Sequence, residues 1–188
     1  MMKRILIMFF FILFVNYKTN AENIGSDSSY KIPRFVSLKS DKVNLRVGSS
    51  TNYPIKLTYN TKNLPIKITD EYESWRKIID INGNEGWIHK NLTIGDRYAI
   101  IYKNNSKLYN YPNGLIIGEI GKNNIVKINR CLLQWCSINF KNIKAWIKKN
   151  KLWGVFEDEI FNNPFYQSLI NRYWNIKLYF NNIIKYYK

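Results

Sequence analysis

Short stretches of alternating apolar and polar residues fill the chain between residues 36 and 152, which is typical of β-strands. Residues 64–68, for example, read Leu-Pro-Ile-Lys-Ile, so that every second side chain is a large aliphatic one. The stretches are rich in isoleucine, valine, tyrosine and tryptophan, and turn sequences such as Asn82-Gly83 separate them. No part of this region has the spacing of an amphipathic helix. We therefore predict that it is all-β.

Two segments of this region resemble each other. Trp75 corresponds to Trp135, and Trp87 corresponds to Trp146. The number of residues that separates the two members is almost the same for both pairs. The period is too long for a solenoid repeat and fits two small domains. A domain of that size buries little surface, and closing its sheet into a barrel removes long exposed edges. We predict one small barrel over residues 35–95 and a second over residues 96–156.

The N-terminal residues have the pattern of a secretory signal peptide. Two basic residues precede an unbroken apolar run from Ile5 to Val15, and a short polar stretch then ends at Ala21. The apolar run is shorter than the roughly 20 residues of a membrane-spanning helix. We predict a signal peptide over residues 1–21 that is cleaved after Ala21, a linker over residues 22–34, and a periplasmic or secreted protein. An uncleaved N-terminal anchor is the alternative.

Residues 157–188 are predicted to form a helical tail. Asn163-Pro164 is a typical helix start, with asparagine as the cap and proline in the first turn. Apolar residues then recur every three or four positions: Leu169, Tyr173, Ile176, Phe180, Ile183 and Tyr187. Three interpretations of this stripe are open: it docks on the barrels, it pairs with a partner or a second copy, or it lies on a membrane surface.

The first of the two segments resembles the bacterial SH3 (SH3b) domain family. Residues 43–54, Val-Asn-Leu-Arg-Val-Gly-Ser-Ser-Thr-Asn-Tyr-Pro, are similar to the Asn-Leu-Arg-x-Gly opening of that family. Trp75-Arg76-Lys77-Ile78 and Gly86-Trp87-Ile88 are similar to two of its later strands. The resemblance covers residues 34–157 and implies an SH3-like barrel twice.

Within that family, the chain resembles the exported tandem SH3b proteins of α-proteobacteria. In those proteins the second copy also carries two cysteines separated by four residues, and it ends in a string similar to residues 151–155, Lys-Leu-Trp-Gly-Val. The resemblance implies roles that are mainly architectural. Leu45 and Val47 are expected in the core, Gly48 in a turn, and Trp87 packed against the barrel.

The chain carries a formal net charge of +16, with 29 lysine and arginine residues against 13 acidic ones. Such a charge attracts anionic partners, including nucleic acid, anionic lipid and acidic wall polymers. The lysines are spread thinly, and lysine, asparagine, isoleucine and tyrosine are abundant throughout, which indicates a general compositional bias. Together with export, this argues against nucleic acid as the partner.

Cys131 and Cys136 are the only cysteines. They flank four residues where the two strands of a hairpin would meet, so that their sulfur atoms can reach bonding distance. In an exported protein we predict that they form a disulfide. The alternatives, a metal site or a catalytic thiol, would need histidine, and His89 is the only one in the chain. We therefore predict neither a metal nor another cofactor.

Catalytic motifs are scarce in the sequence. His89 corresponds to Lys148 in the second segment, so it is interpreted as a polar residue on an outer face, with ligand contact as the alternative. The acidic residues within 70–73 and 157–159 are interpreted as solvated charge and not as an acid–base pair. No glycine-rich phosphate loop, Gly-x-Ser-x-Gly or His-Glu-x-x-His motif occurs. We predict that the protein is not an enzyme.

The strongest candidate for a ligand surface is aromatic. In SH3-like barrels, exposed aromatic residues near the first long loop form a groove for extended peptides. Here Tyr53, Tyr72 and Trp75 are the candidates, with Arg46 and His89 as polar partners. Packing between the two barrels is the alternative role for the aromatic residues.

Together these features predict an exported, non-enzymatic binding module of the cell envelope, because many SH3b domains bind cell-wall peptides. Its partner would be peptidoglycan, a wall peptide or an envelope protein. The alternative is a structural scaffold that the amphipathic tail attaches to a membrane or to a partner.

Overall fold

The computed structural model describes residues 23–162, which form two antiparallel β-sheets of seven strands each. This confirms the prediction of an all-β fold with two small units. The predicted signal peptide (residues 1–21) and the predicted helix that begins at Asn163 lie outside the described residues. None of the helices in residues 23–162 has the length and hydropathy of a membrane-spanning segment.

The first sheet is built from residues 34–94. Its elements are β1 (Arg34–Leu38), β2 (Val43–Arg46), β3 (Ile55–Tyr59), β4 (Pro65–Tyr72), β5 (Trp75–Ile79), β6 (Glu85–His89), a 3-10 helix (Lys90–Leu92) and β7 (Thr93–Ile94). The strands are ordered β3-β2-β6-β5-β4-β1-β7. Strand β1 pairs with both β4 and β7, so the beginning and the end of the unit lie side by side.

The second sheet, from residues 98–153, repeats this arrangement. Its elements are β8 (Tyr98–Ile101), β9 (Ser106–Tyr109), β10 (Ile116–Ile120), β11 (Ile125–Cys131), β12 (Trp135–Phe140), β13 (Ile143–Lys148), a second 3-10 helix (Lys149–Lys151) and β14 (Leu152–Trp153). The order β10-β9-β13-β12-β11-β8-β14 is the order of the first sheet with each strand number raised by seven. The register agrees as well, because Trp75 opposes His89 and Trp135 opposes Lys148.

Each sheet curls around its own hydrophobic core, because alternate residues of its strands face inward. Tyr59 on β3 and Leu38 on β1 lie near opposite ends of the strand order and yet share one core. We therefore call the two units the first barrel (residues 34–94) and the second barrel (residues 98–153). The buried core of the first barrel consists of Leu38, Val43, Leu45, Tyr59, Ile66, Ile68, Ile78 and Ile88; that of the second barrel includes Ala99, Ile101, Leu108, Val126, Ile128, Ile138, Ile147 and Leu152.

Leu45 is fully buried, as predicted, but Val47 is 54% exposed. The prediction that Val47 is a core residue is therefore wrong. The pairing of β2 with β3 shifts register between Leu45 and Arg46, and β2 ends at Arg46. The inward and outward alternation of the strand thus stops before it reaches Val47.

Trp87 also lies outside the core, on the outer face of β6 and only partly buried. Its neighbour Gly86 is the reason, because Gly86 faces inward at a close approach of two strands. A Cβ atom at Gly86 would come within 2.6 Å of the Arg46 carbonyl oxygen and 2.8 Å of Leu45 Cγ. Strand alternation then directs Trp87 outward.

Cys131 and Cys136 form a disulfide, as predicted. They oppose each other in the β11–β12 hairpin, and both are fully buried. Glu71 and Arg76 occupy the same position in the β4–β5 hairpin of the first barrel, where they also oppose each other and are also buried. The two barrels therefore have a covalent bond and an ion pair at equivalent positions.

Replacing both cysteines by alanine is expected to destabilise the second barrel by about 2 kcal/mol, because the disulfide closes a short loop of the unfolded chain. The loss should appear as a lower midpoint of urea unfolding. A reducing agent should lower the midpoint of the wild-type protein in the same way and leave that of the double variant unchanged. A double variant that still responds to the reductant would contradict this account.

The two barrels contact each other directly. The backbone N–H of Tyr98 donates a hydrogen bond to Ser37 Oγ at 3.3 Å. The ring of Phe35 on β1 lies 5.2 Å from the ring of Trp153 on β14 and 4.8 Å from that of Phe156, between centroids. Aromatic packing between the barrels thus involves these three rings.

Candidate functional site

The outward-facing side of β2, β5 and β6 carries most of the residues predicted to bind a ligand. Every second residue of β5 and β6 is partly exposed, which places Trp75, Trp87 and His89 on one face. The rings of Trp75 and His89 oppose each other, edge to face, with their centroids 5.5 Å apart. Arg46 opposes Trp87 and therefore lies on the same face. We call Arg46, Tyr53, Tyr72, Trp75, Trp87 and His89 the outer aromatic face.

Tyr53 lies beside Arg46 in the loop that follows β2. Arg46 Nη1 donates a hydrogen bond to the carbonyl oxygen of Tyr53 at 2.7 Å, which holds the loop against the sheet. The Tyr53 ring packs against Gly48, where a Cβ atom would come within 2.5 Å of the ring. Gly48 thus lets the ring approach the backbone, while Tyr53 stays 49% exposed.

Tyr72 extends the outer aromatic face at the tip of the β4–β5 hairpin. It opposes Trp75 across the turn Glu73-Ser74 and is 54% exposed. The structure thus places Tyr72, Trp75 and His89 in one group, next to the pair of Arg46 and Tyr53. Trp87 joins the two groups, because it opposes Arg46 and lies two residues before His89 on the same strand face. Sequence analysis did not assign Trp87 to this surface.

His89 has a structural contact in addition to its position on this face. Its Nδ1 accepts a hydrogen bond from the backbone N–H of Asn91 at 3.3 Å and caps the first 3-10 helix. His89 therefore fixes the end of β6 and contacts Trp75 at the same time.

The corresponding face of the second barrel is closed. Trp135 and Trp146 are only 5% and 9% exposed, and they form a small apolar cluster with Leu132. The rings of Tyr109 and Trp135 are nearly perpendicular, with the centroids 4.9 Å apart. The positions of Arg46, Trp75, Trp87 and His89 are held here by Tyr109, Trp135, Trp146 and Lys148.

One hairpin residue accounts for much of this difference. Leu132 directly follows Cys131 and has the position that Tyr72 has in the first barrel. Leu132 is 7% exposed, whereas Tyr72 is 54% exposed. The leucine packs onto the tryptophans of the second barrel, while Tyr72 leaves Trp75 partly uncovered.

A buried carboxylate lies next to the tip of the β4–β5 hairpin. The side chain of Glu71 has no exposed area, and its Oε1 lies 2.5 Å from Arg34 Nη2 and 3.3 Å from Arg76 Nε. The prediction that the acidic residues within 70–73 are solvated charge is therefore wrong for Glu71. Burial raises the pKa of Glu71, but hydrogen bonds from Ser28, Arg34 and the backbone of Asp27 outweigh it and lower the pKa to about 2.

The hydrogen bonds from Asp27 and Ser28 to Glu71 also attach residues 23–31 to the first barrel. Asp27 lies 2.6 Å from Arg76 Nη2 and 3.0 Å from Lys90 Nζ. Lys149 has the position of Lys90 in the second barrel, and its Nζ donates to two backbone carbonyl oxygens of residues 157 and 159, at 2.9 and 2.8 Å. Each barrel thus binds a neighbouring chain segment at the start of its 3-10 helix.

Comparison with known families identifies the first barrel. Residues 39–95 match the sequence profile of the bacterial SH3 domain. The first barrel is a bacterial SH3 domain. The match begins directly after β1 and includes every residue of the outer aromatic face, so the candidate surface belongs entirely to the bacterial SH3 domain.

Two solved structures are similar to the chain that contains this bacterial SH3 domain. NlpC1 from Trichomonas vaginalis is 16% identical, with a TM-score of 0.30, over 69% of this chain and 48% of its own length. NlpC2 from Trichomonas vaginalis is 14% identical, with a TM-score of 0.31, over 72% of this chain and 53% of its own length. The chain thus spans about half the length of each. No curated protein matches the sequence.

Proposed function

We propose that the protein is an exported, non-enzymatic binding module of the cell envelope. Its bacterial SH3 domain recognises peptidoglycan or a wall peptide through the outer aromatic face. Bacterial SH3 domains generally bind cell-wall components, which supports an envelope partner. The face also has the chemistry of a peptide-binding surface, because tyrosine and tryptophan combine a large contact area with a polar tip.

The difference between the two barrels carries this proposal. In the bacterial SH3 domain Tyr53 and Tyr72 are about half exposed and Trp75 is partly exposed, whereas Trp135 and Trp146 are buried in the second barrel. Contiguous exposed aromatic residues on a soluble domain mark an interaction surface. In the second barrel the equivalent tryptophans are covered and are not available for such contacts.

An extracytoplasmic location fits the disulfide between Cys131 and Cys136, since such bonds persist in oxidising compartments. Together with the predicted signal peptide, this supports a periplasmic or secreted protein that is cleaved after Ala21. Cell-wall peptides are accessible to a protein in that location.

Both cysteines, His89 and Glu71 have structural partners. Both cysteines are in the disulfide, Nδ1 of His89 accepts a hydrogen bond from Asn91, and two arginines bind Glu71. These contacts favour binding over catalysis.

A Trp75→Ala variant is expected to bind isolated peptidoglycan about thirtyfold more weakly, because a central aromatic residue of a binding surface contributes about 2 kcal/mol. Tyr53→Ala should act in the same direction. The measurement is the fraction of protein that sediments with increasing amounts of peptidoglycan. Tyr102→Ala changes an aromatic residue of the second barrel and is the matched control, which should bind as the wild type does.

Wild-type binding by both first-barrel variants, or the absence of wild-type binding to any wall fraction, would contradict the proposal. A further variant that ends at Asn162 removes the predicted helix of the tail and keeps all described contacts of the second barrel. It should sediment with peptidoglycan as the full chain does. Loss of binding in this variant alone would favour the scaffold that the tail attaches to a membrane or partner.

A further inference from the structure

A cleft of about 650 Å³ lies between the two barrels. Its volume is in the range of small-ligand sites. None of its lining residues belongs to the outer aromatic face, so it is a separate surface from the one proposed to bind the wall. The residues that matter for its chemistry are Tyr30, Arg34, Phe35, Arg97, Lys127 and Phe161.

Cationic side chains that pack on aromatic rings line this cleft. The guanidinium carbon of Arg34 lies 5.5 Å from the centre of the Tyr30 ring, and that of Arg97 lies 5.1 Å from the centre of the Phe161 ring. Arg34 and Arg97 have equivalent positions in the two repeats. Arg34 opposes Ile68 on β4, and the Arg97 carbonyl oxygen accepts from the backbone N–H of Ile128, the equivalent residue of β11.

Each of these cations already binds a carboxylate. Arg34 pairs with Glu71, and Arg97 pairs with both carboxylate oxygens of Glu159. Lys127 Nζ lies 3.0 Å from Asp96, an acidic residue that also lines the cleft, and both side chains of that pair are about half exposed. A surface pair of this kind contributes little, so Lys127 is free to turn to another anion.

Both arginines also have a donor that is not used. Arg34 Nη1 and Arg97 Nε are buried, and neither has a hydrogen-bond partner in the part of the chain that the structure describes. A buried donor without an acceptor destabilises the fold, and such a group calls for a bound water or ligand. The two unused donors belong to residues of the same cleft, one in β1 and one directly before β8.

We propose that this cleft binds the carboxylate of a small ligand. The planar guanidinium group of Arg97 matches the two oxygens of a carboxylate, as its pair with Glu159 already shows, and Arg34 has Nη1 beside the Nη2 atom that binds one oxygen of Glu71. Lys127 supplies a further charge at the exposed side, and Phe35 offers an apolar contact for the rest of the ligand. Two sources share this chemistry: the C-terminus of a short peptide and a small free acid.

The test is a titration of the mature chain, residues 22–188, followed by NMR of the arginine Nε–H groups. The probes are N-acetyl-dialanine, its C-terminal amide, and acetate. We expect N-acetyl-dialanine to shift the Arg97 Nε–H signal, which an Arg97→Lys variant assigns, and the amide to leave it in place. Lys127→Glu should weaken binding of the carboxylate about tenfold, because it reverses a charge near the ligand. Lys144→Glu is the matched control, since Lys144 is exposed on β13 away from the cleft.

Tighter binding of N-acetyl-dialanine than of acetate would identify a peptide terminus as the source, and equal binding would identify a small acid. Both results support a carboxylate site. Equal shifts with the amide, no shift with any probe, or equal affinities of the Lys127→Glu and Lys144→Glu variants would overturn it. The titration contains no peptidoglycan, so its outcome is independent of the wall-binding experiment.

Discussion

A Glu71→Gln variant is expected to lose about 3 kcal/mol of the free energy of unfolding, because it removes one partner from a buried set of ion pairs. The side chain of Glu71 is fully buried and that of Arg76 is 5% exposed. Without the carboxylate, the charge of Arg76 stays in this environment with Asp27 as its remaining acidic contact. Urea unfolding at neutral pH, monitored by circular dichroism, measures the loss.

The matched control is Glu85→Gln on the same barrel. Glu85 lies 2.7 Å from Lys77, but the two side chains are 47% and 37% exposed. Exposed pairs contribute less than about 1 kcal/mol, so this variant should unfold almost as the wild type does. If the two variants unfolded at the same urea concentration, the contacts of Glu71 would have no special weight in the fold.

The low pKa of Glu71 adds a dependence on pH to the same expectation. In the folded protein this pKa is about 2, below the ordinary value of 4.5, so the contribution of Glu71 to stability is fully present above about pH 4.5. It is lost progressively as the pH falls from there toward 2. The wild type and the Glu71→Gln variant should therefore differ most at neutral pH and converge in acid. A difference that stays constant down to pH 2 would contradict the assignment.

Glu71 also shows why part of the structure could not be predicted from the sequence. It stands in a short acidic run, and such runs are usually solvated. Its partners Ser28 and Arg34 are 43 and 37 residues away along the chain, so only the folded topology brings them together. By contrast, the disulfide joins two cysteines only 5 residues apart in a predicted hairpin, and local pattern was sufficient to find it.

In the candidate site, too, the positions of several residues depend on contacts with parts of the chain that are distant in sequence. Sequence analysis grouped Trp75 and His89 by resemblance to SH3-like barrels, but the residues around Trp75 do not alternate cleanly and did not show which of them face inward. The position of Trp87 depends on Gly86, whose close contact with Arg46 is made by β2, a strand from a distant part of the sequence. The covering of Trp135 depends on Leu132, a difference that two similar tryptophan segments do not reveal. The repeat predicted equivalent positions, but not that one face is open and the other closed.

A Trp135→Ala variant is expected to lose about 3–5 kcal/mol of the free energy of unfolding, as is usual for truncation of a buried aromatic residue. Trp135 is 5% exposed and packs with Trp146, Leu132 and the Tyr109 ring. Its removal leaves a cavity in the outer cluster of the second barrel. Urea unfolding measures the total loss, and amide hydrogen exchange should locate the loss of protection in the second barrel.

Trp75→Ala removes the equivalent residue of the first barrel and is the matched control. Because Trp75 is already partly exposed, less apolar area returns to water on truncation, and the expected loss is roughly 1–2 kcal/mol. The difference between these two expected losses tests whether Trp75 is more exposed than Trp135, which is the observation on which the proposed function rests. If Trp75→Ala destabilised the protein as much as Trp135→Ala does, the outer aromatic face would be packed shut in solution like its counterpart. Weaker peptidoglycan binding by that variant would then reflect unfolding of the barrel, and Trp75 could not be counted as a contact with the wall.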